Sequence, residues 1–177
     1  MAKLIVVDVE ADGQVPGTDM FSMVCFGAVV VDKNGRFDQT FYGQTAPISN
    51  RFDPDALAIS GFSREDHLTF NDPLETMKEF DNWLKEIEGG KIFISDNLAF
   101  DWQYINYYFH KFLGRNPFGF SGQRIGDKFQ GFYNDPYMKW KKYRDSKRFP
   151  HNHDPVSDAQ GNASALYYLY KQGYKLF

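Results

Sequence analysis

A chain of 177 residues that is 42% hydrophobic and 18% aromatic has enough apolar material for one compact core, and too much for a disordered chain. Its longest strongly apolar run, Met23 to Val31, falls short of the roughly 20 residues of a bilayer-crossing helix. The start reads directly into a strand without a signal-peptide pattern, so a cytoplasmic protein with no membrane partner is expected. The formal charge is −3 but uneven: residues 1–120 hold ten Lys or Arg against eighteen Asp or Glu, and residues 121–151 hold eight against three. This division suits an acidic pocket beside a basic flank, although charge runs are more often plain solvated surface. The single cysteine, Cys25, lies in an apolar stretch and reads as a small buried hydrophobe.

In chain order, Leu4 to Asp8 is a short apolar run typical of a strand buried on both faces. Met23 to Val31 and Phe37 to Tyr42 are strand-like, and Asp32-Lys33-Asn34-Gly35 between them supplies a hairpin turn. Pro54 to Ile59 reads as a short helix ended by Gly61. Pro73 to Glu88 reads as a longer one, with Leu74, Met77, Phe80, Trp83, Leu84 and Ile87 at helical spacing. Lys91 to Ser95 looks like another buried strand, leading through Asp96 and Asn97 into a helix from about Ala99 to Leu113. Ser121 to Phe132 is expected to be helical and Asn134 to Asn152 irregular or partly helical. A last helix runs from Pro155 to about Lys171, with Asp154 placed to cap it. Strands and helices alternate as in an α/β domain, a mixed sheet covered by helices, spanning residues 1–177 as one unit.

Side chains alternate along a strand, so Asp8 and Glu10 point to one face, where two carboxylates can share a cation. Asp101 sits in the first turn of its helix, where the helix dipole favours a carboxylate even without a chemical role. Asp158 lies one turn into the last helix beside the small residues Ala159 and Ala163, which would let it turn inward. A buried lone carboxylate is costly and needs a partner, which Asp8 and Glu10 could provide only through a bridging cation. His153 precedes Asp158 by five residues in a loop and ranks above nearby His151 for that spacing.

Together these pieces resemble the DEDD-type 3′-to-5′ exonucleases of the histidine subclass. Ile5-Val6-Val7-Asp8-Val9-Glu10-Ala11-Asp12-Gly13 resembles the first family motif. Ser95-Asp96-Asn97-Leu98-Ala99-Phe100-Asp101 resembles the second, and His153-Asp154-Pro155-Val156-Ser157-Asp158-Ala159 the third. Ala56 to Ser63 is similar to a segment that often reads His-Gly-Ile-Thr, with Ser60 in place of the histidine, and Asp96 stands where many members have a histidine. The resemblance implies a ribonuclease-H-like fold with a central mixed five-stranded sheet flanked by helices. It implies two divalent cations, Mg²⁺ or Mn²⁺, with Asp8 bridging both, Glu10 and Asp158 completing one, and Asp101 supporting the other. His153 would be the general base for an attacking water. The expected partner is single-stranded RNA or DNA with a free 3′ end, RNA slightly favoured by analogy of size, and the expected product a nucleoside 5′-monophosphate.

Ala11, Asp12 and Asn97 in the motifs, with Phe21, Leu57, Phe62 and Phe100 beside them, are candidate substrate contacts, although each aromatic could equally be core. The basic run Lys139, Lys141, Lys142, Arg144, Lys147 and Arg148 leads to His153 and could meet a phosphate backbone. A homodimer would suit the aromatic content. The rival readings are a catalytically silent nucleic-acid or nucleotide binder of the same fold, a metal-dependent endonuclease or phosphatase, and a structural interaction protein.

Overall fold

The computed structural model describes residues 2–176. Its centre is a five-stranded mixed sheet built from β1 (Lys3–Ala11), β2 (Met23–Val30), β3 (Thr40–Gln44), β4 (Lys91–Ser95) and β5 (Gly122–Arg124), in the order β3-β2-β1-β4-β5. β2 runs antiparallel to β1 and β3, while β4 and β5 run parallel to β1. The expected mixed sheet covered by helices is therefore the observed one.

The helices follow from the period-two alternation of β1. Its odd positions, Ile5, Val7 and Val9, are buried in a cluster with Met77, Phe80 and Leu84 of α3 (Pro73–Glu86) and with Tyr104, Ile105 and Tyr108 of α4 (Leu98–Leu113). The even positions Leu4 and Val6 pack on the opposite face against Ile125 and Phe129 of α5 (Ile125–Tyr133) and Ala159, Ala163 and Leu166 of α6 (Pro155–Lys171). The first cluster is strongly aromatic: Phe26 meets Phe80 edge-on at 4.9 Å, and such pairs add about 0.5–1.5 kcal/mol beyond the area they bury. Among the described residues no helix is long and apolar enough to cross a membrane.

Two local expectations need correction, and one short helix was not anticipated. Ser121 to Phe132 is not one helix: Gly122, Gln123 and Arg124 pair with Phe93, Ile94 and Ser95 as β5, and the helix starts only at Ile125. A Cβ at Gly122 would overlap the side chains of Leu98 and Phe93, so the glycine allows this edge strand to lie against them. The third strand begins at Thr40 rather than Phe37, because Phe37 turns into the α6 side of the core, 6.0 Å from the Phe149 ring. A five-residue helix, α2 (Arg64–Leu68), follows α1 (Pro54–Ile59) and starts at a reciprocal capping box between Ser63 and Asp66. Within the irregular stretch after α5 there is one 3-10 turn, Trp140–Tyr143.

Candidate active site

The even positions of β1 that follow Leu4 and Val6 are Asp8 and Glu10, so the same alternation that buries the strand delivers both carboxylates to the α6 face at its carboxyl end. In the β1–β2 ladder Asp8 lies opposite Gly27. A Cβ on Gly27 would overlap the backbone of Pro155 and Val156, so this glycine admits the first turn of α6 directly onto the sheet. Asp154 caps that turn, accepting from the Ser157 N–H at 2.8 Å, and Pro155 opens it. Asp158, one turn on, is thereby turned inward and is 1% exposed.

Asp158 is heavily engaged. Its Oδ1 accepts from Nη2 of Arg144 at 2.9 Å and lies 2.6 Å from Nδ1 of His151, while Oδ2 accepts from the backbone N–H of His153 at 3.1 Å. His153 adopts a left-handed backbone (φ 59°) and places Nδ1 3.3 Å from Oε1 of Glu10. A carboxylate only accepts, so this contact puts the proton on Nδ1 and leaves Nε2 as the basic nitrogen. Asp101, 3% exposed, enters from α4 and accepts from the Val9 N–H at 3.1 Å.

The acids are closer together than their charges favour. Burial, then the charge of Asp101, then those of Glu10 and Asp158 hold the Asp8 carboxyl well above the usual carboxylate range. Burial raises Glu10, opposed by His153, and burial raises Asp101 against the Val9 hydrogen bond. Ligand oxygens of Asp8, Glu10 and Asp158 lie within 4.8 Å of one another. Arg144 offsets only part of this negative charge, and a set of carboxylate oxygens suits a hard divalent cation.

No family model matches the chain. The 3′-5′ DNA exonuclease Cap18 of Escherichia coli is 34% identical over 145 residues, covering 80% of this chain and 73% of that protein. The nuclease domain of 3′hExo, a DEDDh family member solved with bound rAMP, superposes with a TM-score of 0.78 at 17% identity, covering 99% of this chain and 94% of that one. The chain belongs to the DEDDh family of 3′-to-5′ exonucleases. Escherichia coli exonuclease I, solved with a dA16 oligonucleotide, shares the ribonuclease-H-like fold of this exonuclease at a TM-score of 0.70 and 14% identity. The match covers 97% of this chain but 41% of that one.

The substrate candidates of this DEDDh chain fall into two groups. Asp12 is wholly buried: Oδ1 accepts from the Ser22 N–H at 2.5 Å and Oδ2 from Nη1 of Arg64 at 2.9 Å, beside buried His67. Burial pushes Asp12 up to about 6 and His67 down to about 4. This side chain ties the Ser22 loop to α2 and faces no solvent. Ala11 is also buried, and Leu57 is 3% exposed against Val24 and Cys25. Phe21, Phe62 and Phe100 are partly exposed, packed respectively under Arg51, against Phe70 and against Tyr104. Asn97 is exposed at the start of α4 and makes no side-chain capping bond. Ser60, where relatives often carry histidine, bonds inward to the Leu57 carbonyl at 2.6 Å, and Asp96 pairs with Lys141 at 2.6 Å. Cys25 is buried, as expected, and burial pushes its thiol up to about 12.

Sequence reasoning missed two partners of Asp158. Arg144 belongs to the basic run that could meet a phosphate backbone, yet its guanidinium lies buried against Gly161, where a Cβ would collide with it. His151 shares the third motif's loop, and its ring centroid is 4.9 Å from that of His153. The His-x-His spacing was the available signal.

Proposed function

We propose that this exonuclease removes nucleoside 5′-monophosphates from the 3′ end of single-stranded DNA, with Asp8, Glu10, Asp101 and Asp158 holding two divalent cations and His153 as general base. The observation that carries this reading is the convergence of Asp8, Glu10 and Asp158 at the end of β1 with His153 hydrogen-bonded to Glu10. Bound magnesium or manganese would supply Lewis-acid stabilisation of charge developing on the phosphoryl and departing 3′ oxygens. Nε2 of His153 takes the proton of the attacking water, and Glu10 orients the ring and stabilises the imidazolium that results. Arg144 and the His153 N–H hold the Asp158 carboxylate in one orientation. Phe62, Phe21 and Phe100, each partly exposed, would be the aromatic contacts of the terminal bases.

The choice of DNA follows the relative named for DNA, whose identity extends over 145 residues. Size alone leans to RNA, but that is a likeness of form and weighs less. The test is incubation of 5′-labelled single-stranded DNA and RNA of one sequence with Mg²⁺ or Mn²⁺, alongside EDTA and Asp8→Ala. Shortening of the DNA from its 3′ end, faster than RNA and abolished by either control, is expected. Cutting of closed circular strands, or full activity in Asp8→Ala, would refute the mechanism.

A further inference from the structure

We propose that the groove lined by Arg124, Lys139 and Lys141 carries the phosphate backbone on the 5′ side of the cleaved bond. This rests on the reading of the substrate as a single nucleic-acid strand. The groove has a volume of ≈ 500 Å³ and is walled by Asp96, Asn97, Arg124, Lys139, Trp140 and Lys141.

Its position follows from register. Val6 of β1 pairs with Ile94 of β4, and both are buried on the α6 face. Two residues on, Asp8 is still within β1, whereas Asp96 has just left the carboxyl end of β4 and pairs with Lys141, whose neighbour Trp140 packs on that same face. Asn97 on the groove wall accepts from the Asp101 N–H at 3.0 Å, so the groove opens one helical turn from that carboxylate.

The basic run is sorted by what each residue touches. Arg144 is buried on Asp158, Arg148 lies over Phe149, and Lys142 lies over Tyr143. Trp140 is 5% exposed and packs 6.0 Å from Phe129, an anchor that leaves Lys139 and Lys141 on either side standing out. Arg124 faces them from the end of β5. Among the described residues Lys139 makes no ion pair, and Arg124 and Lys141 pair only with Asp127 and Asp96. The cations of these pairs, Arg124 and Lys141, are 45% and 60% exposed, and surface ion pairs are weak enough to give way to a phosphate. On the β2 side of the carboxylates, where Cys25 lies opposite Glu10, partly exposed Phe62 and Phe70 form an apolar flank over buried Val24, Cys25 and Leu57. An apolar flank suits the terminal base and a basic one the trailing phosphates, so the site has a direction as well as a centre.

The test compares a 20-nucleotide single-stranded DNA with a deoxydinucleotide, reading the ratio of their kcat/KM values. Lys139→Gln with Lys141→Gln should lower that ratio about tenfold and reduce the salt slope by about 1.4, at about 0.7 per phosphate contact. Arg124→Gln on the opposite wall should lower the ratio about threefold, an independent readout should the double variant melt early. Lys142→Gln with Lys147→Gln removes equal charge outside the groove and should move the ratio less than about twofold. An unmoved ratio in the groove variants, or equal falls in both pairs, would overturn the proposal and point to general charge attraction. A wild-type protein that cleaves neither substrate would instead overturn the parent reading.

Discussion

Nη2 of Arg144 lies 2.9 Å from Oδ1 of Asp158, with only 5% of the arginine and 2% of the aspartate side chain exposed. A buried carboxylate needs a cation, and this one has a protein cation in place beside the acids expected to hold metal. Removing one member of a buried pair leaves an uncompensated charge. Arg144→Gln should therefore lower the unfolding free energy by about 3–5 kcal/mol without metal. Excess Mg²⁺ should recover part of that loss, since a bound cation compensates the same carboxylate. Urea titrations with and without Mg²⁺ check this; a loss below about 1 kcal/mol in both would show that the pair contributes little.

Gly27 meets α6 where Asp8 meets Asp158. Gly27→Ala forces its Cβ into the Pro155 and Val156 backbone, and such overpacking costs about 1–3 kcal/mol. The helix turn it displaces carries Asp158, so exonuclease rate should fall with stability. Gly131 in α5 is the contrasting case: a Cβ there meets nothing within 4 Å, and Gly131→Ala should stabilise by about 0.5–1 kcal/mol with unchanged rate. Equal effects of the two alanines on activity would contradict the packing account.

The parts legible in the sequence were those with local patterns. Strict alternation revealed that Asp8 and Glu10 share a face, and Asp154-Pro155 marked the start of α6. What escaped depends on distant partners. β5 is only Gly-Gln-Arg, with no apolar alternation, and exists because β4 pairs with it. Asp12 looked like part of a substrate-facing motif, but Arg64, 52 residues on, draws its carboxylate inside. Arg144 had no local mark to separate it from its exposed neighbours, because the space that receives it is made by Gly161.

The raised affinity of Asp8, Glu10 and Asp101 for protons predicts how metal-free stability varies with pH. A carboxyl whose folded pKa lies above its unfolded value contributes stability that is complete below the unfolded value, near pH 4, and is lost as pH rises through the folded one. Metal-free protein should thus melt at lower temperature as pH rises, and Mn²⁺ should raise the melting temperature more at pH 8 than at pH 6.5. His67 has the opposite sign: held down to about 4, it contributes stability lost as pH falls from about 6.5, so comparison above that value avoids its titration. Asp101→Asn keeps an acceptor for the Val9 N–H while removing a charge, and should melt higher than wild type without metal. A lower melting temperature in that variant would sink the repulsion account.

Two exposed histidines face the same acids, and their contacts separate their roles. His153 reaches Glu10 through Nδ1 and bonds Asp158 only through its backbone, whereas His151 places Nδ1 on Asp158 itself. His153→Ala should lower kcat by about 10²–10⁴, the usual worth of a general base, with KM within about threefold of wild type. His151→Ala should lower kcat less than about tenfold and instead shift the Mn²⁺ concentration for half-maximal rate, because it removes one of the two partners, with Arg144, that hold Oδ1 of Asp158. The left-handed backbone of His153 adds a sharper contrast: relieving φ 59° with His153→Gly should gain about 1 kcal/mol of stability while removing the imidazole. A variant that is more stable, binds metal and DNA, and turns over no faster than His153→Ala would tie the loss to the missing base rather than to a damaged fold. A normal rate in His153→Gly would transfer that role to His151.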